Sequence, residues 1–344
     1  MTDRGLADLP MLHSARALLD AAGLGSALFS EVEPNPTDIN LADGLDAFRS
    51  GDHDGVIAMG GGSALDLGKL VAFMSGQTRP LWDFEDIGDW WTRADPAGIA
   101  PVIAVPTTAG TGAEVGRAGV ITNSRTRAKK IIFHPGILPR QVICDPELTL
   151  SMPQAVTAGT GLDAFAHCLE AYCSPNYHPM SHGIAVEGMR LVKENLPIVY
   201  TNGADIDARG HMMSAALMGA TAFQKGLGAI HAISHPVGAR YNTHHGTTNA
   251  VVMPAVVTFN RPAIAESIER LANYLDISGG FDGFVQFLSD QNAAMHIPKS
   301  LTELGVIAPD INALSAAALA DPSAASNPVR MTPENTRRLL QACL

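Results

Sequence analysis

The sequence predicts an α/β domain over residues 1–150 followed by an all-α domain over residues 151–344. In the first part, three short apolar runs alternate with helical patterns, which is typical of a βαβ architecture. The runs are Gly55–Met59, Ile99–Val105 and Gln141–Pro146. Beyond residue 152 segments rich in Ala, Leu and Met dominate, and these predict a helical bundle with a loop at Asp321–Pro328.

Composition narrows the class of protein. A chain of 344 residues is long enough for two cores, and 17% charged residues is ordinary for a globular protein. The net charge of −11 argues against nucleic acid as a partner, because binding phosphates requires clustered Lys and Arg. Its four cysteines form no C-x-x-C pair, and neither a signal peptide nor a membrane-length apolar run is evident. We therefore expect a cytoplasmic protein.

Two turns in the first domain are suited to a phosphate-bearing cofactor. Gly60–Ser63 follows an apolar run and opens a helical segment, so its backbone N–H groups could approach a phosphate closely. Alone, this turn could equally be a plain strand–helix connection, and it is not a G-x-G-x-x-G fingerprint. The run Pro106–Glu114 adds hydroxyl groups and bare backbone at a second turn. Two such turns in one α/β domain favour a dinucleotide.

Four residues of the second domain form a candidate metal set. Asp163 and His167 are four apart and face the same side of a helix, and His231 and His245 follow. One carboxylate and three imidazoles suit a divalent first-row ion such as Fe²⁺ or Zn²⁺. The alternative is that each histidine is buried and bonded to neighbouring backbone, which is reasonable for one of them but not for all.

Five ordered motifs carry a family resemblance. They are Gly60–Lys69, Pro106–Glu114, Asp145–Thr149, Thr160–His167 and His231–Ala250. Together they resemble the iron-containing (group III) alcohol dehydrogenases, which share a fold with dehydroquinate synthase and glycerol dehydrogenase. The resemblance implies a dinucleotide-binding α/β domain, an all-α domain, and NAD(H)-linked interconversion of a small alcohol and an aldehyde or ketone.

The resemblance also implies roles for individual residues. It assigns metal binding to Asp163, His167, His231 and His245. It assigns cofactor binding to Asp3, Gly61, Gly62, Ser63, Asp66, Thr107, Thr108, Thr111 and Lys129. For Asp66 an equal alternative is stabilisation of the helix N-terminus, and Lys130 leaves the register of Lys129 open. A carboxylate at Asp3 would repel a 2′-phosphate and so favours NAD(H) over NADP(H).

The chain begins almost on the Thr2-Asp3 motif, so the strand that precedes it in the family is expected to be missing. Many relatives pair as dimers through that strand, so its absence would also affect the homodimer that the resemblance implies.

The implied mechanism uses the metal as a Lewis acid on the substrate oxygen, with hydride exchanged with nicotinamide. His235 lies one helical turn beyond His231, and we expect it to act as a proton relay or as a support for the nicotinamide. A packing role is the alternative. The aspartate at 163 and the full quartet favour iron-type alcohol dehydrogenases over dehydroquinate synthase-like lyases and glycerol dehydrogenase-like zinc enzymes. A catalytically impaired, truncated homologue is the remaining alternative.

Overall fold

The computed structural model describes residues 1–344 and divides into two compact units. Unit 1 comprises Met1–Thr108 and Ala113–Thr149, and unit 2 comprises Ala109–Gly112 and Leu150–Leu344. Unit 1 contains every strand, and the regular structure of unit 2 is helical. The predicted α/β plus all-α fold class is confirmed.

Unit 1 is built on a short parallel sheet. Its helices and strands are α1 (Pro10–Ala21), α2 (Asp38–Ser50), β1 (Val56–Gly60), α3 (Gly62–Met74), β2 (Val102–Pro106), β3 (Ala118–Asn123), β4 (Ala128–Phe133) and β5 (Gln141–Val142). The sheet order is β1-β2-β5, and Val56 pairs with Val102 while Gly60 pairs with Pro106. The carboxyl ends of β1 and β2 therefore meet at one edge, where both predicted turns begin.

The strands β3 and β4 form an antiparallel hairpin that the sequence interpretation did not anticipate. Ala118 pairs with Phe133 and Asn123 pairs with Ala128. The turn is fixed by Asn123, whose Oδ1 accepts hydrogen bonds from the N–H groups of Arg125 and Thr126 at 3.1 and 3.0 Å. Asn is favoured at such positions because its side chain can bond the backbone two residues on.

The first residues of the chain are tied to β1. The Met1 amino group donates to Ile57 O at 2.9 Å, and Met59 N–H donates to Met1 O at 3.0 Å. Asp3 forms a parallel bridge with Val32, and its Oδ1 accepts from Leu6 N–H at 3.1 Å. Asp3 is thus held by backbone contacts on both sides.

Unit 2 is a set of packed helices. They are α4 (Gln154–Cys173), α5 (Pro179–Thr201), α6 (Ile206–Ala222), α7 (Ala229–Tyr241), α8 (His245–Tyr274), α9 (Gly280–Ala294), α10 (Ile311–Ala320) and α11 (Pro333–Ala342). Side chains of α4 are buried along most of its length, which makes it the central helix of this core. None of the helices combines the length and apolarity needed to cross a membrane.

The predicted loop at Asp321–Pro328 is wrong in part. Pro322–Ser326 forms a 3₁₀ helix that begins after Asp321, whose carboxylate accepts from Ser323 N–H at 2.9 Å. An aspartate followed by proline provides both an N-cap and a preset φ angle for the first helical residue. The segment was predicted as a loop because its composition is rich in Ser and Ala.

Candidate metal centre

Three helices of unit 2 bring the four predicted metal ligands together. Asp163 and His167 lie on α4, His231 lies on α7, and His245 is the first residue of α8. One ligand atom from each lies within 4.8 Å of all the others. Asp163, His167 and His231 are buried, whereas the His245 side chain is 22% exposed. Their role as ligands stays a prediction.

The spacing around Asp163 is compatible with a shared ion. Its Oδ1 lies 3.9 Å from His167 Nε2, 3.9 Å from His231 Nε2 and 3.7 Å from His245 Nε2. These separations are too long for hydrogen bonds. Two atoms that each bind one ion at about 2.1 Å lie at most about 4.2 Å apart, and all three separations fall within that limit.

Asn249 gives a second indication that a cation fits here. Its fully buried Nδ2 donates to Asp163 Oδ1 at 2.7 Å and lies 3.2 Å from both His231 Nε2 and His245 Nε2. One amide carries two N–H hydrogens and therefore cannot satisfy all three acceptors at once. The cluster thus has more lone pairs than this amide can satisfy, as expected of a site that binds a positive ion.

Two glycines allow α8 to approach α4 at the quartet. A Cβ atom on Gly246 would lie 2.1 Å from Gly159 O and 2.9 Å from Asp163 Cβ, which no side chain could tolerate. Gly246 directly follows His245, and Gly159 lies one turn before Asp163. The close contact between the two backbones therefore sets the separation of the two ligand side chains.

Glu170 orients one of the predicted ligands. Its Oε2 lies 2.7 Å from His231 Nδ1, and its Oε1 accepts from Ile230 N–H at 2.6 Å. A carboxylate only accepts, so Nδ1 carries the proton and Nε2 presents its lone pair to the quartet. The sequence interpretation missed Glu170, although Asp163, His167 and Glu170 are spaced i, i+4, i+7 on one face of α4.

Burial and charge act differently on two of the histidines. Burial lowers the pKa of His167 to about 4, against the opposing effect of Asp163, so this imidazole is neutral at pH 7. Burial also acts to lower the pKa of His231, but the hydrogen bond and charge of Glu170 outweigh it and raise the pKa. A carboxylate beside Nδ1 increases the basicity of Nε2, which strengthens an imidazole as a metal ligand.

His235 lies beside the quartet, as predicted. Its ring is 5.7 Å from the His231 ring and stacks on the His245 ring at 5.4 Å with an interplanar angle of 13°. His235 Nδ1 lies 2.8 Å from Asp321 Oδ2. The sequence offered no signal for Asp321, which is 86 residues from its partner.

In unit 1 the predicted cofactor residues gather at the carboxyl ends of β1 and β2. Thr107 N–H donates to Gly60 O at 3.0 Å, and a Cβ on Gly61 would meet Thr108 Cγ2 at 3.3 Å. Gly60 has a φ of +154°, and a Cβ there would lie 2.7 Å from Ala64 Cβ and 3.6 Å from Asp3 Oδ2. This edge is where doubly wound sheets bind nucleotides.

Other predicted cofactor residues are already engaged by protein groups. Ser63 Oγ donates to Pro34 O at 2.5 Å, leaving the backbone of the turn as its polar surface. Asp66 pairs with buried Lys69 at 2.9 Å and accepts from Val120 N–H at 3.1 Å, so its carboxylate is engaged between α3 and β3. The first turn of α3 contains no acidic residue, so the alternative role of Asp66 at the helix N-terminus is not supported. Lys129 lies on β4 opposite Thr122, and the neighbouring Lys130 pairs with Glu85 at 2.8 Å. Thr111 belongs to the short segment grouped with unit 2.

The close contact at Gly246 predicts a stability effect. Gly246→Ala introduces a methyl group against Gly159 O, and we expect the free energy of unfolding to fall by about 1–3 kcal/mol because this core position is overpacked. Gly183→Ala is the control, since a Cβ there meets nothing within 4 Å on helix α5, and it should raise stability by about 0.5–1 kcal/mol. Urea titration measures both. A Gly246→Ala protein as stable as the parent would contradict the proposed constraint.

The Glu170 contact predicts an effect on metal affinity. In Glu170→Gln the amide oxygen can keep the Ile230 N–H bond, and its NH₂ then faces His231 Nδ1, so the imidazole proton moves to Nε2 and blocks the ligand nitrogen. We expect divalent-ion affinity to fall about 10–100-fold in competition with a chelating dye. Glu187→Gln, which changes a partly exposed carboxylate paired with Arg190, is the matched control. Equal affinities in the two variants would refute the role of Glu170.

Comparisons with known proteins agree with this architecture. Residues 1–146 match the family model for iron-containing alcohol dehydrogenase, and residues 157–344 match the model for the C-terminal part of the Fe-containing alcohol dehydrogenase family. The chain is 37% identical over 351 aligned positions to a 4-hydroxybutyrate dehydrogenase of Cupriavidus necator, covering 99% of this chain and 90% of that protein. It is 32% identical to an NAD-dependent methanol dehydrogenase of Bacillus methanolicus, covering 100% and 91%.

The crystal structure of a 1,3-propanediol oxidoreductase superimposes with a TM-score of 0.93 at 33% identity, covering 100% of this chain and 91% of that chain. The sequence and fold matches thus span both units and confirm the family resemblance. The chain belongs to the iron-containing alcohol dehydrogenase family.

Proposed function

We propose that the protein is a divalent-metal-dependent, NAD(H)-linked alcohol dehydrogenase that interconverts small alcohols and aldehydes. The observation that carries this proposal is the convergence of Asp163 with three imidazoles in a buried cluster. Relatives over the full chain are named for the oxidation of 4-hydroxybutyrate and methanol, the latter with NAD. A primary alcohol of one to four carbons is therefore the substrate class that we infer.

The residues present suit the groups that the proposal requires. When bound, a divalent ion polarises a hydroxyl or carbonyl oxygen, and nicotinamide exchanges hydride with the adjacent carbon. The carboxylate of Asp163 and the imidazoles of His167, His231 and His245 would hold the ion, with Fe²⁺ favoured by the family and Zn²⁺ compatible with the same donors.

Two side chains next to the quartet have roles in this proposal. His235 presents an imidazole edge beside His231 and His245, where it can exchange a proton with the substrate hydroxyl. Phe223 packs its ring 4.9 Å from the His167 ring and supplies an apolar surface that limits water near the cluster.

The cofactor assignment rests on the turn that opens α3. The first N–H groups of this helix, at Gly62 and Ser63, are suited to the pyrophosphate of a dinucleotide. Asp3, held near Gly60, would bond a ribose hydroxyl and repel a 2′-phosphate, which supports NAD(H) over NADP(H). A cytoplasmic location and a homodimer stay predictions from the sequence.

A direct assay tests the proposal. Purified protein loaded with Fe²⁺ or Zn²⁺ should oxidise NADH in the presence of short aldehydes of one to four carbons, and should use NADPH less well because of Asp3. Consumption of NADH is followed by absorbance. If the protein has confirmed bound metal but oxidises no NADH with any aldehyde of the panel, the proposal is wrong.

A pair of adjacent histidines supplies matched variants for that assay. His245→Ala removes a predicted ligand, so both bound metal and NADH oxidation should be lost. His244 is instead the N-cap of α8, with Nδ1 accepting from Thr247 N–H at 3.3 Å. His244→Asn replaces the capping nitrogen with a capping oxygen and should leave metal content and turnover unchanged. Equal losses in the two variants would refute the ligand assignment.

A further inference from the structure

Asp321 occupies a buried position between the 3₁₀ helix Pro322–Ser326 and the ring of His235. Its Oδ1 accepts from Ser323 N–H at 2.9 Å, and its Oδ2 lies 2.8 Å from His235 Nδ1. The side chains of Asp321 and His235 are 7% and 10% exposed. Each carboxylate oxygen therefore has its own partner in a region largely shielded from water.

This contact determines which nitrogen of His235 carries the proton. An ionised carboxylate only accepts hydrogen bonds, so Nδ1 carries a proton, and in the neutral imidazole Nε2 then presents the lone pair. The hydrogen bond to Asp321 engages Nδ1 and not Nε2. The ring lies nearly parallel to the His245 ring at 5.4 Å and 5.7 Å from the His231 ring, so His235 borders the quartet.

Capping the 3₁₀ helix does not by itself account for Asp321. The cap needs only an oxygen that accepts from Ser323 N–H, and an asparagine would serve there equally well. Burial acts to raise the pKa of Asp321, but His235 and the Ser323 N–H outweigh it and lower the pKa, so the carboxyl group is ionised at neutral pH. A buried negative charge is costly unless it is hydrogen-bonded to a partner, and His235 is that partner.

We infer that Asp321 is a positioning residue that fixes the orientation and the Nδ1–H tautomer of His235, so that Nε2 is the nitrogen offered to the substrate hydroxyl. This inference rests on the proposed function. In the oxidative direction the hydroxyl O–H bond breaks, its electron pair stays on oxygen, and the proton bonds to Nε2. The carbinol hydrogen would leave with its electron pair, for which NAD⁺ would be the oxidant under the proposed function.

An isosteric variant separates positioning from capping. In Asp321→Asn the amide has one acceptor for two N–H donors, so keeping the Ser323 bond turns its NH₂ toward His235 Nδ1. The imidazole must then carry its proton on Nε2, the wrong nitrogen for accepting one. We expect kcat to fall about 10²–10⁴-fold while KM, metal content and melting temperature change little.

Asp310→Asn is the matched control, because Asp310 pairs with Arg240 and Tyr241 and makes no contact with the quartet. It should leave kcat unchanged. A fall in kcat of the same size in both variants, or a fall in the Asp321 variant that tracks a lowered melting temperature, would overturn the inference.

A spectroscopic readout is independent of turnover. Nitrogen-15 NMR of histidine-labelled, zinc-loaded protein, with the His235 signals assigned by their loss in His235→Gln, should show a protonated Nδ1 in the parent and a protonated Nε2 in Asp321→Asn. The same tautomer in both proteins would overturn the inference. A parent protein inactive on every aldehyde, with the tautomer switch intact, would instead count against the proposed function.

Discussion

The buried carboxylate of Asp163 is the constraint on which the candidate metal centre depends. The carboxylate is 2% exposed and faces three imidazole nitrogens that lie too far away to donate hydrogen bonds. Only Asn249 donates to this oxygen, and its amide also faces two of the imidazoles. Such a group of acceptors is expensive to bury unless a cation balances it. The close approach of α8 to α4 at Gly246 and Gly159 also favours a bound cation, because it holds the acceptors in one small volume.

Two carboxylates next to this cluster share one hydrogen-bonding pattern. Glu170 and Asp321 each accept one backbone N–H and one histidine Nδ1–H, and each therefore fixes the tautomer of its imidazole. Glu170 acts on His231, which we assign to the metal, whereas Asp321 acts on His235, which we assign to the substrate. The same arrangement, a carboxylate bonded to a histidine Nδ1, thus occurs twice. The position of each histidine decides whether the arrangement acts on the metal or on the substrate.

Whether a feature could be predicted from the sequence depends on how far apart along the chain its residues lie. The spacing of Asp163 and His167 and the glycine turn after a buried strand are local patterns, and the residues concerned lie together in the structure. The i+7 position of Glu170 carried a local signal that was missed. Asp321 carried none, because its partner is 86 residues away and its own segment resembled a loop. The β3–β4 hairpin was overlooked for a different reason, since its turn contains no Gly or Pro.

We propose that one divalent ion binds to Asp163, His167, His231 and His245. X-ray absorption spectroscopy of zinc-loaded protein tests it most directly, with the metal content measured on the same sample. We expect one ion per chain, with only nitrogen and oxygen neighbours at about 2.0–2.2 Å and the multiple-scattering signature of several imidazoles. A chain that binds no zinc, or a sulfur neighbour at about 2.3 Å from one of its cysteines, would contradict it.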